Sequence, residues 1–166
     1  MPYDTAGAVN AKVKDRWGRA TIQWRELGLW NVGLSGGGHS LSDTNSRYTG
    51  SVEIGRHIAG HSLSLVEHSG YDHMENISPL YYSPQHLQTH QLGFDLSQTL
   101  GQNYRLRLRY LPGVGKESIS SWDFIQEASV NLGISFGRLS LEPTYSYYMT
   151  PTYRAHSYFF SAALSF

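Results

Sequence analysis

An antiparallel, up-and-down β-barrel made to sit in a membrane is the fold class this sequence predicts, on three observations. The chain closes on an almost perfect alternation: from Arg154 onward Tyr158, Phe160, Ala162, Leu164 and Phe166 fall on one face, and Ser157, Ser161, Ala163 and Ser165 on the other. Strand side chains alternate faces, and a lipid-facing row must be apolar while a lumen-facing row is free to be small or polar. The same alternation recurs in runs joined by short turns and longer loops in turn. Finally, no stretch reaches the roughly 18 consecutive apolar residues of a spanning helix, yet aromatics make up 13% of the 166 residues. A barrel reconciles these facts, because half of every strand faces the lumen.

The elements follow in order. Residues 1–19 place Val9, Ala11 and Val13 against Asn10, Lys12 and Lys14, with a turn expected at Asp15 to Gly18; they form an N-terminal arm or an extra strand. Residues 20–166 form the barrel. Its first strand is expected from about Ala20 to Leu34, with Ile22, Trp24, Trp30, Val32 and Leu34 on one parity. Tyr48 to Ile58 and His61 to His68 flank a turn at Ala59-Gly60, with Val52, Ile54, Leu63 and Leu65 outward. Thr89 to Leu100 sets Leu92, Phe94, Leu96 and Leu100 against Gln91, Gly93, Asp95, Ser97 and Thr99. After a turn at 101–103, Tyr104 to Tyr110 alternates Tyr104, Leu106, Leu108 and Tyr110 with Arg105, Arg107 and Arg109. Phe124 to Phe136, Arg138 to Tyr148 and the closing strand complete about eight strands, standing alone or as part of a larger barrel.

The links at 59–60, 101–103 and 137–138 are short, whereas those near 35–46, 70–88, 111–122 and 149–153 are mostly longer and rich in Gly, Pro, Ser and Asp. That asymmetry matches an outer-membrane barrel with periplasmic short turns. A soluble sandwich or lipocalin-like barrel also alternates, but the small inner residues of the last strand, the terminal Phe and the turn asymmetry favour the membrane. The bacterial outer membrane is the expected location, with outer-membrane lipid and the barrel-assembly machinery as partners and Phe166 as an assembly signal. The start, Met-Pro-Tyr-Asp, has no basic and apolar leader, so an export signal is expected outside this sequence.

Thirteen Lys plus Arg balance thirteen Asp plus Glu, leaving no global field for nucleic acid. No cofactor is expected. Eight His occur without a repeated ligand spacing on one face, so no metal site is expected. Glu67-His68-Ser69 gathers three triad residue types, the basis of an alternative reading as a lipid-modifying hydrolase; neighbours in a strand point to opposite faces, however, so a relay is not expected and the chain is read as non-enzymatic.

Arg105, Arg107 and Arg109 share one face and need partners. Asp95, Glu127 and Glu142 share the inward parity, with Glu53 and Arg25 as extensions, giving a lumen ladder of charge. It reads either as a constriction that tunes passage or as a salt-bridged filling of a narrow barrel. In the long 70–88 loop, Tyr71, Tyr81, Tyr82 and His86, with Trp122 in the next outer loop, are aromatics of the kind that stack on sugar rings or form an interfacial girdle.

Tyr81-Tyr82-Ser83-Pro84-Gln85, Leu92-Gly93, Pro112-Gly113-Val114-Gly115 and the run Tyr145 to Tyr153 resemble the C-terminal barrel of exopolysaccharide-export porins, such as the outer-membrane component of cellulose synthase and related tetratricopeptide-repeat porins. The resemblance covers about residues 80–166. It implies a transport pore that passes a polysaccharide, in a barrel of about twice as many strands. The alternative is a small closed eight-stranded barrel acting as a membrane anchor or surface-binding module.

Overall fold

The computed structural model describes residues 13–59, 62–81, 83–118 and 121–164; the expectations for Phe166, Tyr82 and residues 1–12 lie outside them. Nine strands run in chain order: β1 (Asp15–Leu27), β2 (Trp30–Leu41), β3 (Ser46–Ala59), β4 (Leu63–Met74), β5 (Leu87–Leu100), β6 (Tyr104–Glu117), β7 (Trp122–Phe136), β8 (Leu139–Met149) and β9 (Arg154–Leu164). Each pairs antiparallel with the next in one meander. The sheet rolls up: Arg109 of β6 reaches Glu53 of β3, and Trp17 of β1 and Tyr148 of β8 line one trough. Among the described residues β1 and β9 pair on one side only, so the result is a half-barrel with two open edges.

The first expected strand is two. Gly28 takes a left-handed φ of 69°, which glycine tolerates without steric cost, and the chain reverses between β1 and β2. Asp15–Arg19, expected as a turn and as part of an arm, is instead the start of β1. The Gly-Gly-Gly-His-Ser stretch, expected in a loop, is strand β2: Gly37 lies so close to β1 that an added Cβ would stand 3.0 Å from the Gly18 carbonyl oxygen. The long links shrink accordingly to 42–45, 75–86, 118–121 and 150–153, all at one end of the sheet, with the short turns at the other.

Alternation sorts the two faces. Ile22 pairs with Leu34, Leu34 with Val52, Leu65 with Phe94, Leu108 with Val130 and Tyr145 with Tyr158 on the convex side. Ile22, Leu92, Phe94, Phe124, Val130 and Phe160 are exposed there. So continuous an apolar band is far larger than a water-soluble surface tolerates; it suits lipid. The concave rows are mostly Ser, Thr, Gly, His and charged residues, with apolar side chains such as Val66, Leu87, Leu111 and Ile125 buried among them.

The wall bends sharply between β5 and β6. The ladder skips from Gln91↔Gly113 to Phe94↔Tyr110, a gap that holds Pro112, which has no N–H to give. The Gln91 amide instead donates to the Leu111 carbonyl at 2.8 Å. Leu111 and Ile125 are fully buried inside the corner. A Cβ on Gly93 would lie 1.9 Å from the Tyr110 carbonyl oxygen, and one on Gly113 2.1 Å from that of His90; only glycine permits backbones this close.

Gly113→Val should therefore destabilise the sheet by about 1–3 kcal/mol or more, the usual cost of overpacking, while Gly36→Ala, whose Cβ would meet nothing nearer than 3.8 Å, should stay within about 0.5 kcal/mol. Urea titration of the lipid-inserted protein, followed by far-ultraviolet circular dichroism, compares them. Equal stability of the two variants would contradict the corner.

Candidate functional site

The concave face is a trough whose centre is organised by one cation. Arg109, inward on β6, bonds Glu53 of β3 through its guanidinium, lies 3.6 Å from Asp95 of β5 and stands 3.9 Å from Glu127 of β7. His68 of β4 adds a contact to Glu53 at 3.5 Å. Five consecutive strands thus send one ionisable side chain each to a single point. They do so because inward parity recurs at the same height: Glu53↔His68, His68↔Gln91, Asp95↔Arg109 and Arg109↔Ser129 are register partners. The planar guanidinium presents several donors at once, which suits it to a cluster of carboxylates.

The expected ladder is therefore a hub. Arg107 and Arg105 lie on the same row toward the short turns; both are exposed and neither forms an ion pair among the described residues. Glu142 shares a recess with Arg105, Arg107 and Asn131, and among the described residues it forms no ion pair with either arginine. A second recess of about 520 Å³ runs beside the hub, lined by Gln23, Asn31, His57, Ser64, Asp95 and Arg107 among others. Here His57 bonds Asn31 at 3.0 Å and Ser64 at 2.9 Å. The lining is polar, with hydroxyl and amide groups between separated charges.

Toward the long loops the trough changes character. Trp17, Arg19, His39, Arg47, Asp72 and Tyr148 surround a recess of about 400 Å³. His39 meets Asp15 at 2.9 Å and stacks on Trp17 with ring centroids 6.4 Å apart, and Arg47 is paired with Asp72. Trp17 is 59% exposed although it faces inward, and Phe159 of β9 is 67% exposed on the same face. Both escape the sequence pattern: Trp17 falls within the expected arm, and Phe159 stands alone in a row of small residues. An aromatic breaking a small, polar inward row is the signal that identifies such a position.

The expected sugar-stacking loop is divided by the structure. Tyr81 is buried; its hydroxyl donates to Asp43 at 2.7 Å and accepts from Asn45 at 3.1 Å. Asn45 also ties Asn76 through both its amide groups, and Tyr81 packs with Leu41 and Met74. Loop 75–86 is thereby strapped to loop 42–45. Burial and the Asp43 carboxylate raise the Tyr81 phenol above its ordinary value. Tyr71, His86 and Trp122 sit outside, on the convex rim: Tyr71 bonds His86 at 3.1 Å, and Trp122 lies 5.5 Å from the His90 ring. These four residues do not form one surface.

Glu67-His68-Ser69 also separates, as neighbours in a strand must. His68 turns inward to Glu53; Glu67 and Ser69 turn outward, where Ser69 bonds Glu67 at 2.6 Å and His90 at 2.8 Å. The serine stands between the carboxylate and the imidazole, so the carboxylate does not orient the histidine as a relay requires.

No protein-family model and no curated protein sequence matches the chain. A solved structure, a bacterial polysaccharide outer membrane secretin, superposes with a TM-score of 0.76 at 17% identity, over 92% of this chain and 57% of that one. The chain thus spans a little over half the length of that protein. The likeness supports the antiparallel membrane-barrel fold, and the nine strands correspond to part of such a wall.

Two outcomes follow from the hub and the strap. Arg109→Leu should cost about 2–3 kcal/mol by leaving three carboxylates facing one another, held at the low end because the site is partly open to water; Arg107→Leu should cost less than about 1 kcal/mol. Equal losses in urea titration would contradict the hub. Because a phenol whose folded value is raised keeps its proton longer than in the unfolded chain, the strap should weaken as pH climbs past the unfolded value near 10. Tyr81→Phe should remove that alkaline component, read as protease susceptibility of loop 75–86 against pH.

Proposed function

We propose that this chain forms half of the wall of an outer-membrane β-barrel whose lumen passes a polysaccharide, related to exopolysaccharide-export porins and without catalytic activity of its own. The observation that carries this reading is the open, rolled sheet. A closed eight-stranded barrel fills its interior with side chains, whereas here a polar concave face lies beside two edges that are unpaired among the described residues. The edges set a rule for completion. An up-and-down meander reverses at each turn, so β1 and β9 run the same way, and antiparallel pairing with both takes an odd number of further strands. The completed barrel then has an even count, the usual state of bacterial single-chain barrels.

The trough suits an uncharged or weakly charged glycan. Hydroxyl and amide groups exchange hydrogen bonds with sugar hydroxyls, the Trp17 and Phe159 faces supply apolar contact for pyranose rings, and the Arg109 guanidinium is surrounded by three carboxylates and so does not bind anions tightly. A conduit must hold its cargo loosely enough to release it. The polysaccharide association carried by the name of the similar structure agrees with this chemistry.

Planar-bilayer recording of the native protein tests the reading. Stable conductance steps, reduced on adding soluble glucan oligomers and relieved of that reduction in Trp17→Ala, are expected. A silent bilayer with verified insertion would overturn the pore in favour of the anchor.

A further inference from the structure

Cations collect on the outer side of the wall at its long-loop end. In that part of the strands the carboxylates Asp15, Asp72, Glu117 and Asp123 have inward parity, together with Arg47, which is paired with Asp72. Outward parity belongs there to Arg16, Lys116 and Arg154, together with His73, His90 and His156. The opposite end shows no such band: its outward rows carry Leu63, Leu100, Tyr104, Phe136, Leu139 and Leu164, with Arg56 lying over the Trp30 ring at 5.3 Å. A lumen function does not account for cations on the outer surface, and a membrane with equivalent leaflets does not account for their concentration at one end.

Within this band the convex surface has a groove of about 280 Å³ lined by Tyr71, His86, Gln88, Lys116 and Ser118. His86 is held in place from two sides, by the Tyr71 hydroxyl at 3.1 Å and by stacking on His73 with ring centroids 4.6 Å apart. Lys116 forms no ion pair among the described residues. The groove therefore offers ammonium, amide and hydroxyl donors and no carboxylate. Directly beneath it, toward the middle of the sheet, the outward row includes Val114 and its register partner Phe124, with Leu92 on the neighbouring strand, all exposed; His90, the other partner of Val114, and Glu67, the partner of Leu92, flank them and are joined through Ser69.

Donors above and an apolar lane below match one amphiphile. We propose that this groove binds the phosphate group of an anionic, phosphorylated lipid in the leaflet nearest the long loops, with an acyl chain laid along Val114, Phe124 and Leu92. Ammonium and polar N–H groups are favoured partners of phosphate oxygens, and basic groups at a membrane surface add attraction for anionic lipid. The aromatic residues around the groove sit at the headgroup level they prefer. The inference rests on the convex face being the membrane face, independently of what the lumen carries.

Native mass spectrometry of the intact protein, recovered from mixed bicelles in mild detergent, tests it. The bicelles contain phosphatidylcholine with either bisphosphorylated lipid A or its dephosphorylated form, and insertion is checked by heat-dependent gel migration. The phosphorylated lipid should be retained at least tenfold more than the dephosphorylated one, Lys116→Gln should abolish most of that preference, and Lys116→Arg should preserve it. Arg56→Gln, at the opposite end, should leave it unchanged. Equal retention of the two lipids by inserted protein, or an unaltered preference in Lys116→Gln, would overturn the site. Displacement of the lipid by millimolar inorganic phosphate would reassign it to a free anion, and failure of the chain to insert at all would remove the membrane face on which the proposal stands.

Discussion

A sheet edge cannot face hydrocarbon. Each backbone N–H and C=O left without a partner in the bilayer core costs several kcal/mol, and this constraint orders everything else in the molecule. It requires every strand to be paired along its length, as β2 through β8 are on both sides. It makes the roll of the sheet a route to closure, and among the described residues it leaves β1 and β9 as the two edges still to be paired. The Gly93–Gly113 corner serves the same end by concentrating curvature where the β5–β6 ladder is already interrupted.

Once the wall is rolled, the two-residue period of a strand distributes the chemistry. One parity supplies an apolar band for lipid, the other a polar trough. The hub at Arg109 shows how far this goes: five adjacent strands contribute to it, although their sequence separations are large, because a regular register brings equal heights together. One guanidinium there faces three carboxylates, with the exposed Arg105 and Arg107 farther along the same row, so charges of both signs are spread along the trough.

The class of fold and most strand centres are legible in the sequence because alternation survives averaging. The β1–β2 hairpin is not. Its partners Ile22↔Leu34 and Trp24↔Val32 are separated by even numbers of residues, so the apolar parity passes through the Gly28 turn unchanged and two strands read as one. The three glycines of β2 mislead for a related reason: composition suggests a loop, but close strand approach also selects glycine. At the trough, Asp95 and Glu127 can be matched to the arginine row since they lie on adjacent strands. That Arg109 is the member that gathers them depends on curvature, which brings in Glu53 from three strands away. Likewise Tyr81 has the look of a surface aromatic, and its burial depends on Asp43 and Asn45 in a different loop.

That bond between loops gives the outside of the molecule a fixed relief. Surface loops normally vary, fray and invite proteolytic nicking, but the segment from Asn76 to Pro84 is knotted by side chains into its neighbour and anchored on Leu41 and Met74. The hairpins that carry the two loops, β2–β3 and β4–β5, are coupled at their tips as well as along β3 and β4. Any macromolecule approaching the long-loop end would meet a fixed surface there, and an insertion at this tip would disturb four strands instead of one.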